Sequence, residues 1–265
     1  MKILRLGVSH DARDDIPFDE RQHVIAERML EEATGLEWDT VLKSMWPTAQ
    51  LPALVERWVE REEPDMVLLF LAGYWASWGS TAVRLERRLP FVGKQAADLA
   101  RKVATSESAK PHRTLDRLRG VASAAIGVDF NFEPDELVSR FETITRQLLR
   151  NEHLVIAVRG PGRTPQRLTK RQTRQSIARY SLFARGIEEL CRQLHVEFLP
   201  YEHLPEDQKF SDRVPGDPAH YTVEGARRHG IREGELMIRA WQRAETGDRL
   251  QGTSSTLPKE LRPSM

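Results

Sequence analysis

Seven consecutive apolar residues, Met66-Val67-Leu68-Leu69-Phe70-Leu71-Ala72, lie between Pro64-Asp65 and Gly73. A run this short, with no alternation, reads as a strand buried on both faces. It is far too short to cross a bilayer. Such a strand needs neighbours on either side and a covering layer above and below. The rest of the chain supplies both. Residues 3–8, 37–45, 154–158 and 196–199 read as four further strands. Helical patterns separate them: 21–34, with Val24, Ala26, Met29, Leu30 and Ala33 on one stripe and Gly35 as the stop; 51–61; 138–149; 167–194; and 223–244, with a break allowed at Gly230. Residues 74–79 and 159–165 read as loops. The stretch 81–150 is mostly helical, interrupted at Pro90, Gly93, Pro111 and Gly120. Strands alternating with helices imply one parallel sheet covered on both faces. Right-handed crossovers then place every loop that follows a strand on the same edge, where ligands bind in such folds.

The chain has 265 residues, 40% of them apolar and 30% charged, which allows a real core under a solvated surface. We read residues 1–246 as one domain with a helical insertion at about 81–150, and 247–265, rich in Gly, Ser, Thr and Pro, as a disordered tail. Net charge is +1 and excludes nothing about partners. The single cysteine, Cys191, cannot form an internal disulfide and reads as a core thiol. Arg5 interrupts the first apolar segment, so no signal peptide is read, and a cytoplasmic protein is expected.

Chemistry concentrates at two ends of the chain. Asp217-Pro218-Ala219-His220-Tyr221-Thr222-Val223-Glu224-Gly225 places an Asp and a His three apart, a spacing at which a carboxylate can hold the imidazole Nδ1–H across one turn and leave Nε2 as a base. Thr222 is placed to cap the helix that follows, and Glu224 suits its positive end. A nucleophile for this base is available in Gly7-Val8-Ser9-His10, on the loop after the first strand. Each of these residues also has a plainer reading: Ser9 as a turn-capping loop serine, and Asp217/His220 as a surface turn before a capped helix. His10 reads either as a substrate contact or as loop surface. His10 with Asp11, Asp14 and Asp15 fits no metal-ligand spacing, so no metal or organic cofactor is expected. Trp75 and Trp78 either line a pocket or pack beneath the 81–150 stretch. Gly160-Pro161-Gly162 between Arg159 and Arg163 is able to receive an anion but lacks the Lys-Ser/Thr of a phosphate-binding loop. From Arg159 to Arg185 there are eight Arg and Lys and no acid. That run reads chiefly as a solvated face, and no nucleic-acid partner is expected.

The two motifs and their positions resemble the SGNH, or GDSL-like, hydrolases over roughly residues 3–244. In that family a serine follows strand one, here Gly7-Val8-Ser9, and an Asp-x-x-His near the C-terminus completes a triad, here Asp217-Pro218-Ala219-His220. The Thr two residues after the His and the Glu-Gly opening the last helix also match. The resemblance implies a three-layer, flavodoxin-like α/β fold around a five-stranded parallel sheet, a small-molecule ester substrate, and Ser9, His220 and Asp217 as the triad. Departures are visible. Val8 stands where the family has Asp; Met45-Trp46-Pro47-Thr48-Ala49-Gln50 lacks the second-block Gly; Gly73-Tyr74-Trp75-Ala76 keeps the third-block Gly but not its Asn. Gly73, together with His10 and the side chains of Gln50 and Ser77, is the remaining candidate for the oxyanion or substrate contacts. Two alternatives stay open: a degenerate SGNH-fold protein that binds a ligand or partner, and an unrelated flavodoxin-like fold.

Overall fold

The computed structural model describes residues 1–7, 15–81, 83–84, 127–162, 168–200, 212–214 and 217–246, and of Arg213 and residues 217–219 the backbone alone. Ser9, His10, Arg163, most of the 81–126 stretch and the 247–265 tail lie outside the described residues.

Five parallel strands form the central sheet. They are β1 (Lys2–Gly7), β2 (Asp39–Ser44), β3 (Met66–Ala72), β6 (Val155–Gly162) and β7 (Glu197–Leu199), in the order β2-β1-β3-β6-β7. Two short antiparallel pairs stand apart from it: β4 (Gly79–Ser80) with β5 (Asp129–Phe130), and β8 (Arg213–Val214) with β9 (Asp217–Tyr221). The central strand β3 is buried at every position, as its unbroken apolar run predicts.

Two helical layers cover the sheet. On one face, α2 (Leu51–Glu62), α4 (Pro134–Leu148) and α5 (Lys170–Gln193) bury Leu51, Val55, Leu137, Phe141, Ile144, Phe183, Ile187 and Cys191 against Leu4, Leu6, Val67 and Leu69. Here α4, inside the stretch read as an insertion, lies on the crossover from β3 to β6. On the other face, α1 (Gln22–Thr34) and α6 (Val223–Glu245) cover Ile3, Met66, Leu68, Val155 and Ala157. The α6 helix is continuous through Gly230. A side chain at Gly230 or Gly234 would run into Gln22 and Ile25 or into Met29, so these glycines let α1 and α6 pack closely rather than break the helix.

Two loop readings are corrected. Residues 159–162 extend β6 instead of leaving the sheet. The register against β3 shifts between Phe70 and Ala72, and this bulge accommodates Pro161, which has no N–H to give a ladder. Residues 74–79 form the short helix α3 (Tyr74–Ser77) and enter β4. Trp75 takes the packing alternative: it is fully buried and stacked on Phe141, with centroids 5.6 Å apart and planes 15° apart.

Candidate functional site

Because the strands are parallel, β1, β2, β3 and β6 all end on one edge, at Gly7, Ser44, Ala72 and Gly162. Helix α6 begins at this edge and runs back across the sheet. Its preceding residue pair is anchored near the C-terminal end of β6 through Tyr221, and Arg243 near its far end meets Glu197 at the start of β7, 3.1 Å away. Gly7 thus ends β1 at this edge, and His220 precedes by three residues the helix α6 that begins there.

The segment that carries Asp217 and His220 is strand backbone paired at its two ends. β9 runs antiparallel to β8, with Arg213 opposite Tyr221 and Val214 opposite Asp217. One step along β8 thus matches four along β9, and residues 218–220 bow out between the two pairings. Bulges re-aim side chains and are common beside active sites. His220 lies in this bulge and is half-buried. Thr222 caps α6 as its sequence predicts, its hydroxyl accepting from the Gly225 amide at 3.1 Å. The Thr222 amide donates to the Asp212 carbonyl at 2.8 Å, and any side chain at Gly225 would collide with that same carbonyl. This contact is a physical reason for the glycine at position 225.

The remaining predicted contacts fall as follows. Gly73 ends β3 and starts α3, and its carbonyl accepts from the Ser77 amide at 3.2 Å and the Ser77 hydroxyl at 2.8 Å. Ser77 is buried, and its one hydroxyl proton is held by its own helix. Gln50 is exposed, at the start of α2 after β2. Beside it, half-exposed Trp46 packs on Tyr74 at 6.0 Å and on Phe132 at 5.7 Å, an aromatic wall at the edge. Arg140 braces the wall, lying over Phe132 at 5.7 Å and donating to the Pro47 carbonyl.

Beneath this edge, on the α1/α6 side, lies a charged cluster that sequence reasoning missed. Arg5 of β1 and Arg159 of β6 both reach Glu233 of α6, and all three are essentially inaccessible. Gln22 of α1 also donates to Glu233. Both guanidinium groups lie over the Phe70 ring, at 5.3 and 4.4 Å from its centroid. Arg159 further donates to the Tyr221 hydroxyl at 3.4 Å and faces His229 Nδ1 at 2.8 Å. His229 Nε2 lies 3.7 Å from the Asp212 carboxylate, which is paired with Arg228 at 2.7 Å. Burial alone would raise the Glu233 pKa, but Arg5 and then Arg159 more than offset it, and the carboxyl is held below its ordinary value. Nearby His23 is pushed down to about 4, first by burial and then by Arg5. Arg159 is therefore not a rim cation open to an anionic substrate. Its charge is committed to the interior. The visible signal was Arg5 itself, a charge inside an otherwise apolar strand.

Among the described residues no cluster of His, Cys, Asp and Glu is arranged to hold a metal ion, and no helix is long and apolar enough to cross a membrane. A cavity of about 330 Å³ lies at the opposite edge of the sheet, bordered by Leu149, Val155, His195, Glu197, Ala240 and Arg243, and none of the charged-cluster residues lines it.

No family model and no curated sequence matches the chain. Solved structures do match in shape. The protein TesA superposes with a TM-score of 0.53 at 13% identity, over 91% of this chain and 99% of TesA. The psychrotrophic esterase EstA from Pseudoalteromonas sp., in a structure inhibited by monoethylphosphonate, superposes with a TM-score of 0.53 at 11% identity, over 91% of this chain and 98% of EstA. The chain has the three-layer α/β fold of the SGNH, or GDSL-like, hydrolases.

Proposed function

We propose that the protein is a serine hydrolase that cleaves an ester by acyl transfer. The observation that supports the reading is topological: β1, which Ser9 follows in the sequence, ends on the edge of an SGNH-type sheet where α6, preceded by His220, begins. Ser9 Oγ attacks the ester carbonyl carbon while His220 accepts the hydroxyl proton. The tetrahedral oxyanion collapses, the alkoxide leaves with the proton from His220, and water repeats the sequence on the acyl-enzyme. Asp217 holds the imidazole in the required tautomer. With the Ser77 hydroxyl engaged by Gly73, the Ser9 amide is the main oxyanion donor, supported by His10, by Gln50 or by the Gly73 segment. The Trp46–Tyr74–Phe132 wall suits an apolar part of the substrate. EstA is itself named an esterase and is inhibited by a phosphonate, which agrees with this chemistry.

A fluorophosphonate probe tests the reading. Labelling is expected at Ser9, identified by peptide mass spectrometry, and Ser9→Ala is expected to abolish both labelling and hydrolysis of short p-nitrophenyl esters. Ester hydrolysis that survives Ser9→Ala unchanged would overturn it. A second reading, a ligand-binding SGNH-fold protein without turnover, is favoured by one observation: the stretch 45–50 offers no glycine amide and Ser77 no free proton for the oxyanion. Losing one such donor costs about 2.7–4 kcal/mol of transition-state stabilisation. Absence of any label on folded protein would select this second reading.

A further inference from the structure

We propose that Arg159 and Tyr221 are positioning residues that fix where His220 stands at the sheet edge. The inference rests on the proposed role of His220 but reaches beyond the triad, into the buried cluster.

The bulge that carries residues 218–220 lies between the Arg213–Tyr221 and Val214–Asp217 pairings. What holds its ends therefore bears on where His220 stands. The end next to His220 is Tyr221, which is 4% exposed. Its ring packs on His229, with centroids 4.3 Å apart, and its hydroxyl accepts from Arg159. Arg159 cannot drift. Its guanidinium is tied to Glu233, lies over Phe70 and meets His229 Nδ1, so one rigid fork connects β6, β3, α6 and the His220 segment. His229 accepts from Arg159 at Nδ1, which places its proton on Nε2, facing Asp212. Asp212 in turn holds the Thr222 amide through its backbone carbonyl and Arg228 through its carboxylate. Both residues that follow His220 are therefore anchored to the same cluster. An apolar filling of this space would be no less stable, since buried ion pairs seldom beat well-packed hydrophobic replacements. What the polar filling adds is direction: each contact fixes a specific atom of the segment.

The experiment compares Tyr221→Phe and Arg159→Lys with wild type. Tyr221→Phe removes a single hydroxyl, and Arg159→Lys keeps the charge but loses the planar fork. The histidine ring signals are followed by NMR as a function of pH, with His220 assigned through His220→Gln, alongside kcat and KM on a p-nitrophenyl ester. The expected result is a displaced His220 titration midpoint in both variants and a fall in kcat of about 10- to 100-fold, the scale of a misplaced catalytic group, with KM unchanged. Ile187→Val, in the opposite layer, is expected to leave the midpoint where it is. An unmoved His220 midpoint in folded Tyr221→Phe overturns the inference, whether or not Arg159→Lys folds. A displaced midpoint in a protein that hydrolyses no ester supports the inference and leaves the hydrolase reading as the one that failed.

Discussion

The two faces of one sheet are built by different physics. The face under α2, α4 and α5 is apolar apart from hydroxyls such as those of Thr145 and Ser176, and among the described residues it buries no charge: Trp75 stacks on Phe141, and Phe141 meets Phe183 at 6.3 Å. The face under α1 and α6 begins the same way, with Ile3, Met66, Leu68 and Val155. Towards the edge that carries the candidate site, it changes into Arg5, Arg159, Glu233, Gln22, His23 and His229. The first face is tolerant: any shape of similar volume that avoids water serves it. The second is exacting, because each buried charge depends on a particular partner. Fold is carried by the one and placement by the other, and the polar layer lies where placement is needed.

The contrast is tested most severely at Glu233. Glu233→Ala leaves two buried guanidinium groups without their counter-ion and is expected to cost about 3–5 kcal/mol in urea unfolding. Replacing Arg5, Gln22, Arg159 and Glu233 together by apolar residues of similar volume is expected to recover most of that loss. A combined variant as unstable as Glu233→Ala would mean that the charges themselves stabilise the fold, and the contrast between the faces would fail.

A second test uses pH. His23 titrates near 4 in the folded protein against 6.5 as a reference, so the unfolded chain takes up a proton that the native state refuses. Stability contributed by neutral His23 is fully present above pH 6.5 and lost as pH falls towards 4, on the order of 2 kcal/mol. The depressed Glu233 carboxyl adds its own loss only below about its reference value of 4.5. His23→Phe is expected to flatten the slope of unfolding free energy between pH 4.5 and 6.5, and an unchanged slope would remove His23 from the polar layer.

Smaller effects mark the tolerant face and the junction. Ile187→Val, in the apolar layer, is expected to cost about 0.5–1.5 kcal/mol. Thr222→Ala, at the cap of α6, is expected to cost about 1 kcal/mol, read from the midpoint of denaturation. If Ile187→Val also altered the His220 titration, placement would not belong to one face alone.

How much of this was legible in the sequence follows the same division. The strands and the apolar faces of the helices were readable because burial writes itself as local periodicity: the 66–72 run, Val24, Ala26 and Leu30 of the α1 stripe, and the Thr222 cap stand where their residues place them, while Ala33 at the end of that stripe is exposed. The polar layer was not readable, because its partners come from four distant segments and each looks ordinary alone. Glu233 is one acid on a helix rich in charge, and Arg159 sits beside a Gly-Pro-Gly that signals a loop. Only the long-range pairing turns them into strand and core. The bulge at 218–220 was likewise hidden, since four residues that suit a turn also suit a bowed strand, and β8 decides between them. Ser9, the proposed nucleophile, was named from its motif and position alone and lies outside the described part of the molecule.

The Arg5–Glu233 pair spans 228 positions of the chain. At a synthesis rate of about 5–20 residues per second, the counter-ion of the first strand emerges on the order of ten to fifty seconds after the strand itself. Throughout that interval the nascent β1 carries a guanidinium that its final environment cannot accept without α6. The growing polypeptide can assemble the apolar layer early, but its charged layer has to wait for α6. Synthesis of that helix thus becomes the event that lets the guanidinium of the first strand be buried.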